Sequence, residues 1–272
     1  MGRSRRKRLG QHFLVDRSVT ERIVELLEER PPRVQEIGPG RGALTDLLLT
    51  RFATVRAVEG DPVLAAGLER RLAASGLQVR LGDALHDPLD ELLGGAARWQ
   101  VAANLPYSVG TAIVRRLMPR ADRLTRLVVM LQRELARRLV ARPGERGHGL
   151  LALERAAWAD AWIAFEVPPS CFRPRPRVVS AVLVLEPRAA TEPLLEDALR
   201  VAGSALTRPR KMLANAVRPL YERGELEAVG LDPEARPGTV PLEGWLALVR
   251  RRRPAGSRAE PAAGDTIRGG HE

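Results

Sequence analysis

Asn104-Leu105-Pro106-Tyr107 places an amide, a rigid proline and an aromatic ring within four residues. The apolar run Trp99-Gln100-Val101-Ala102-Ala103 precedes it and has strand character. The four residues therefore fall at the carboxyl end of a strand, where open α/β sheets bind their ligands. Such groups suit alkylation of an amino group on a planar base. The Asn104 side-chain oxygen and the carbonyl next to Pro106 can accept the two amine hydrogens, which localises a nitrogen lone pair otherwise delocalised into the ring. Pro106 brings no backbone N–H and stiffens the turn. Tyr107 offers a face on which a base can stack. Asn and Pro are also common turn formers, so these four residues alone fit an ordinary strand-to-helix turn equally well.

Features upstream separate the two readings. Glu36-x-Gly38-x-Gly40-x-Gly42 follows another strand-like run. Its glycines let the backbone approach a ligand, and a following helix start would present free N–H groups. Dehydrogenases use a similar turn for dinucleotides. In either case an acidic residue about 20 positions on suits ribose hydroxyls, and Glu59 fills that place. Asp83 ends the next strand, where it can accept from an exocyclic adenine amine. A methyl donor and an acceptor amine together require this set, whereas a nicotinamide enzyme has no use for the turn at Asn104. Taken singly, each residue fits a bland role: a glycine turn, a helix cap at Glu59 with Asp61, a turn aspartate at Asp83.

The elements that must position these residues alternate. Ser18 precedes a helical pattern with Val19, Ile23, Leu26 and Leu27 on one face, ended by Pro31-Pro32. Strands are expected at 34–37, 54–58, 78–81, 99–103 and 127–131, with helices after Gly42, over 63–72 and over 133–140. Such alternation means a parallel, doubly wound sheet. Extended runs at 163–167 and 178–185 can close it with an antiparallel hairpin. From about residue 190 the pattern turns helical, over 194–206, 210–221 and 242–252. The expected organisation is a basic flexible arm at 1–10, a sheet domain at 11–187, a helical domain at 188–253 and a disordered tail at 254–272.

The 272-residue chain carries a net charge of +11, almost all its cations being arginine, with Lys7 and Lys211 the only lysines. Arginine forks bind phosphate, so a polyanionic partner is expected. A compositional bias explains arginine in place of lysine, but not the surplus of positive charge. Arg3, Arg5, Arg6, Lys7 and Arg8 are candidates for phosphate contacts, as are Arg133, Arg137, Arg138, Arg173, Arg175, Arg177, Arg208, Arg210 and Lys211. One cysteine, Cys171, allows no internal disulfide, and the four histidines lack metal-ligand spacing, so no metal is expected. No apolar run reaches a membrane span and the basic start lacks a signal-peptide core. A soluble, cytoplasmic monomer is expected.

In order along the chain come Leu9-Gly10-Gln11-His12-Phe13-Leu14, Glu36-Ile37-Gly38-Pro39-Gly40, Gly82-Asp83-Ala84 and Asn104-Leu105-Pro106-Tyr107. Val167-Pro168-Pro169-Ser170-Cys171-Phe172-Arg173-Pro174-Arg175-Pro176 and Arg210-Lys211-Met212-Leu213-Ala214-Asn215 follow. With these segments the chain resembles the small-subunit (16S) ribosomal RNA adenine N6-dimethyltransferases, from about Arg6 to Arg250. The resemblance implies a Rossmann-type, class I S-adenosylmethionine-dependent methyltransferase sheet with a small C-terminal α-helical domain. It implies dimethylation of two adjacent adenosines near the 3′ end of small-subunit RNA, in pre-assembled subunits during ribosome biogenesis. Carried over, S-adenosylmethionine would contact His12, Leu14, Gly38, Gly40, Glu59, Asp83, Ala84 and Asn104. The catalytic set would be Asn104, Leu105, Pro106 and Tyr107, with Phe172 on the second face of the flipped base or else a plain core residue. Gly60, Val179, His148 and Arg208-Pro209 depart from the family pattern, away from the proposed methyl-transfer atoms.

Methylation acidifies the amine, so no His or Cys is expected in a catalytic role. Two rival readings remain: the macrolide-resistance class, which methylates an adenine of large-subunit RNA, and a non-catalytic RNA-binding assembly factor. Arg210-Lys211 and the segment from Gly230-Leu231-Asp232-Pro233 to Trp245 favour the small-subunit family.

Overall fold

Short segments rich in Val, Leu, Ile and Ala become the strands of one central sheet. The computed structural model describes residues 11–94, 97–189 and 192–252; the expected arm at 1–10 and tail at 254–272 lie outside them. The chain divides between residues 190 and 191 into two compact units.

Strands of the first unit are β1 (Phe13–Leu14), β2 (Arg33–Ile37), β3 (Thr54–Glu59), β4 (Gln78–Leu81), β5 (Trp99–Asn104), β6 (Leu124–Gln132), β7 (Ala159–Val167), β8 (Phe172–Arg173) and β9 (Ser180–Pro187). Its helices are α1 (Arg17–Glu25), α2 (Thr45–Arg51), α3 (Pro62–Arg71), α4 (Leu89–Leu93), α5 (Gly110–Leu117), α6 (Arg133–Val140) and α7 (Leu150–Trp158). The main sheet runs β4-β3-β2-β5-β6-β9-β7. The first five are parallel, and β9 and β7 add the antiparallel hairpin. Strand order reverses between β2 and β5, which opens a crevice at their carboxyl ends.

The central strands are apolar on both faces because both faces are covered. Val101, Leu127, Val129 and Leu131 pack with Ile113, Val114 and Leu117 of α5. Their neighbours Ala102, Val128 and Met130 point the other way, to Val19 and Ile23 of α1 and Leu48 of α2. Gln100 is fully buried in β5, yet satisfied. Its Oε1 accepts the Glu28 amide at 2.8 Å, and its Nε2 donates to the carbonyls of Glu28 at 2.7 Å and Pro31 at 3.0 Å. These bonds fix the chain between α1 and β2 on the sheet.

Two expected boundaries differ. Asp16, not Ser18, caps α1; its carboxylate accepts the Ser18 amide at 3.0 Å and the Val19 amide at 3.3 Å. The helix stops at Glu25, before the prolines, because arginines from elsewhere take its last carbonyls. Arg51 donates to Val24 O at 2.7 Å and Leu27 O at 3.1 Å, and Arg126 to Leu26 O at 2.9 Å.

The second unit is helical: α8 (Leu195–Leu206), α9 (Leu213–Ala216), α10 (Arg223–Glu227) and α11 (Leu242–Arg252). The long helix expected over 210–221 shrinks to α9. Its first amides donate outside the helix, Leu213 to Ala235 O at 2.7 Å and Ala214 to Pro233 O at 3.0 Å. Pro219 lacks the N–H needed to continue it.

Candidate functional site

The crevice at the switch point encloses about 700 Å³ and is lined mainly by apolar surface, with a few polar groups converging on it. His12, Leu14, Gly38, Gly40, Glu59, Asp83, Ala84, Asn104, Leu105, Pro106 and Tyr107 all line it, which brings together eleven of the twelve residues singled out from the sequence. Phe172 does not. It is 1 % exposed and packs in the core with Leu14, Val167 and Val182, because pairing of β8 with β1 turns its ring inward. Of the two roles left open for Phe172, a second stacking face or a core residue, this burial favours the core.

Asn104 ends β5 half-buried, and its Nδ2 donates to the backbone carbonyl of His12 at 3.0 Å. That bond sets the amide: one N–H is held by the residue before β1, and Oδ1 is left as the acceptor. Past Asn104, the Leu105 amide donates to Met130 O at 3.2 Å, which continues the ladder with β6 one step further. The Pro106 carbonyl accepts Val109 N at 3.1 Å and Gly110 N at 2.9 Å, which starts α5. Tyr107 follows, its hydroxyl 2.7 Å from Ser180 Oγ on β9. Burial raises the phenol pKa, so the ring stays neutral. The ring lies 5.5 Å from the His12 imidazole, centroid to centroid.

Glu59, at the end of β3, is 3 % exposed. Its Oε2 accepts the Gly40 amide at 2.9 Å and its Oε1 the Asp61 amide at 2.9 Å. Burial raises its pKa, and the amide bonds partly offset the shift. The glycines themselves offer the crevice no free amide. Gly38 N donates to Val58 O at 2.9 Å and Gly42 N to Pro39 O at 2.8 Å, so all three glycine amides are used within the protein. Gly40 must be glycine for another reason. At φ +58° a Cβ would also meet the Phe13 ring at 3.1 Å. Gly38, at φ +68°, has nothing within 4 Å of its missing Cβ, which leaves that wall open.

Glu36, read from the sequence only as part of the glycine motif, is a functional candidate that sequence reasoning missed. It is 1 % exposed on the crevice wall, and Thr45 Oγ1 donates to its Oε2 at 2.6 Å. Burial, with the nearby charges of Glu59 and Asp46, pushes its pKa up to about 8. An acid inside a buried strand run was the available signal.

Asp83 also lines the crevice, just past the end of β4. Its Oδ1 accepts the Leu85 amide at 2.8 Å, and its Oδ2 lies 3.0 Å from His86 Nδ1. The His86 bond holds its carboxyl below the usual range. Gly60 and Gly82 end adjacent strands here, and a Cβ on Gly60 would meet only the Gly82 carbonyl, at 3.6 Å. The surface at Gly60 is thus open, whereas a Cβ on Gly82 would meet the Asp87 carboxylate at 2.5 Å.

Of the arginines proposed for phosphate, Arg133 and Arg137 bind Glu166 at 3.2 and 3.0 Å. Arg173 turns back to the carbonyls of Ser170 at 3.1 Å and Phe172 at 2.8 Å. Arg175 and Arg177 are exposed on the same segment, as are Arg208, Arg210 and Lys211 in the second unit. No group of three or more His, Cys, Asp or Glu that could hold a metal occurs among the described residues.

The fold recurs in other proteins. A dimethyladenosine transferase from Plasmodium falciparum shares the fold with a TM-score of 0.75 over 88 % of this chain and 97 % of that one, at 21 % identity. The 23S rRNA methyltransferase ErmE does so with a TM-score of 0.68 at 30 % identity, over 88 % of this chain and 98 % of that one. The fold is that of the class I, S-adenosylmethionine-dependent methyltransferases. Within that class, residues 2–252 match the model of the ribosomal RNA adenine dimethylases, and the chain belongs to this family. It is 38 % identical over 265 residues to the ribosomal RNA small subunit methyltransferase A of Synechococcus sp. (strain CC9605), covering 92 % of this chain and 96 % of that protein. The protein of the same name from Phenylobacterium zucineum (strain HLK1) is 40 % identical over 260 residues, covering 92 % and 90 %.

Proposed function

We propose that this protein dimethylates the N6 amines of two adjacent adenosines near the 3′ end of small-subunit ribosomal RNA, with S-adenosylmethionine as donor. One observation carries this reading: the hydrogen bond from Asn104 Nδ2 to His12 O, which leaves Oδ1 as the acceptor of a side chain that lines the crevice with Tyr107.

The crevice suits the donor. Glu59 is poised for ribose hydroxyls, Asp83 and the open surface at Gly60 for an adenine, and the open wall at Gly38 for close backbone approach. When bound, S-adenosylmethionine supplies an electrophilic methyl on a sulfonium. The chain does the rest by alignment. Asn104 Oδ1 accepts one amine hydrogen of the target base. The Leu105 carbonyl accepts the other, since that of Pro106 is spent on α5. Tyr107, pinned by Ser180, supports the ring of a base drawn out of its stack. Once methylated, the amine releases its proton to solvent, so no side-chain base is required.

Identities of 38–40 % to small-subunit enzymes over more than nine-tenths of the chain, against 30 % to the 23S enzyme, support small-subunit RNA as the substrate. The net charge of +11 suits a polyanion. Among the described residues no helix is long and apolar enough to cross a membrane. The test is mass spectrometry of small- and large-subunit RNA incubated with the protein and labelled donor. A pair of dimethyladenosines in the small-subunit RNA is expected; label only in the large-subunit RNA, or in neither, overturns the reading.

A further inference from the structure

We infer that Arg133 and Arg137 form a binding site for an RNA phosphate beside the turn at 104–107, and that Glu166 occupies it in the free protein. The inference deepens the RNA-methylating reading above and rests on it for the identity of the ligand. The two arginines stand one turn apart on α6, so their guanidiniums emerge on one face. Each takes a different oxygen of one carboxylate: Arg133 binds Glu166 Oε2 at 3.2 Å, and Arg137 binds Oε1 at 3.0 Å. A phosphate has two non-bridging oxygens that such a pair of forks can hold in the same way. Arg133, with Arg137, holds the Glu166 carboxyl below the usual range, so the site already carries an anion. Two cations against one carboxylate still leave the cluster positive. The Arg133, Arg137 and Glu166 side chains are 41, 62 and 40 % exposed, so the carboxylate can swing out into water at small cost.

Position separates this cluster from an ordinary surface ion pair. Ser180, whose hydroxyl lies 2.7 Å from that of Tyr107, pairs with Gln132 on β6 and with Val167 on β7. Arg133 directly follows Gln132, and Glu166 directly precedes Val167. The Arg133 amide also donates to the Val179 carbonyl at 3.0 Å, which fixes the start of α6 at this point. The cluster therefore borders the residue that pins Tyr107, outside the crevice proposed for the donor. A base drawn onto Tyr107 brings its own backbone phosphates to this edge.

The experiment compares the wild-type protein with Glu166→Gln, the double variant Arg133→Gln/Arg137→Gln, and all three substitutions combined. Small-subunit RNA is titrated by filter binding at several salt concentrations, alongside S-adenosylhomocysteine affinity by calorimetry. Glu166→Gln should bind the RNA about two- to fivefold more tightly, since it no longer competes with the phosphate. The double variant should bind about tenfold more weakly, and its slope of log affinity against log salt should be shallower by about 0.7, as one phosphate of a single strand requires. Adding Glu166→Gln to the double variant should change nothing, because Glu166 acts through the two arginines. All four proteins should bind S-adenosylhomocysteine equally, the exchanged side chains lying outside the crevice. Unchanged or weaker RNA binding by Glu166→Gln would make the cluster a structural ion pair and overturn the inference. So would a double variant that keeps its salt slope, or a gain from Glu166→Gln that persists without the arginines. If the wild-type protein binds the RNA but transfers no labelled methyl to it, the methylation reading fails, while the binding comparison still decides this one.

Discussion

A single carboxylate, Glu59, ties the glycine loop to its own strand: its Oε2 accepts the Gly40 amide at 2.9 Å. Oε1 takes the Asp61 amide at the same distance, so β2 and the start of α3 are braced together at the crevice. Glu59→Gln keeps one acceptor but turns an NH2 toward an amide N–H. The loss of a charged hydrogen bond and one unsatisfied donor should cost about 1–3 kcal/mol in urea unfolding. S-adenosylhomocysteine affinity should fall by about tenfold or more. Unchanged affinity in calorimetry would remove Glu59 from the ribose site.

Asn104→Ala should lower kcat by about 100-fold, the scale found for losing one preorganised hydrogen-bonding group, while RNA affinity changes little. Asn104→Asp should be as poor, because a carboxylate cannot donate to the His12 carbonyl and would repel it. Single-turnover methylation with filter binding measures both quantities. A variant that keeps most of its rate would contradict the assigned role.

Tyr107→Phe removes only the bond to Ser180, worth about 1 kcal/mol net, and should lower kcat/KM by about fivefold. Tyr107→Ala removes the stacking surface and should cost far more, mainly in KM for RNA. Equal effects in the two variants would argue that the hydroxyl, not the ring, is what matters.

Phe172→Ala should destabilise the protein by about 3–5 kcal/mol, as expected for emptying a packed core position. Phe172→Leu should fold and methylate at close to the normal rate. A properly folded Phe172→Leu with lost turnover would restore the stacking role the sequence suggested.

The Glu36 carboxyl, raised from 4.5 to about 8, gives a pH signature with a definite sign. The fold favours its protonated form, so its contribution is complete below the unfolded value and is lost as pH rises through about 8. Glu36→Gln keeps an acceptor for Thr45 and cannot ionise. The Tm of Glu36→Gln should therefore gain on that of the wild type between about pH 5 and pH 9. Parallel Tm profiles across that range would show that Glu36 ionises normally in the folded protein.

Much of the parallel sheet was legible because its strands are local runs covered on both sides. The strand at 78–81 and the helices at 133–140 and 242–252 have the bounds their patterns implied. Errors fell where the end of an element depends on a distant partner. Helix α1 stops early because Arg51 and Arg126 take its carbonyls, and the pattern over 210–221 gives way where residues 233–235 take the first amides of α9.

At the site, residue types and spacing alone determined which side chains gather at the strand ends, because in a parallel sheet those ends share one edge. Only the tertiary structure decided how the side chains face. Asn104 is oriented by a carbonyl 92 positions away and Tyr107 by a hydroxyl 73 away, while Phe172 is drawn inward by pairing with β1. Local sequence carries no record of such partners: hydrogen bonds and close packing act over a few ångströms of space, whatever the distance along the chain.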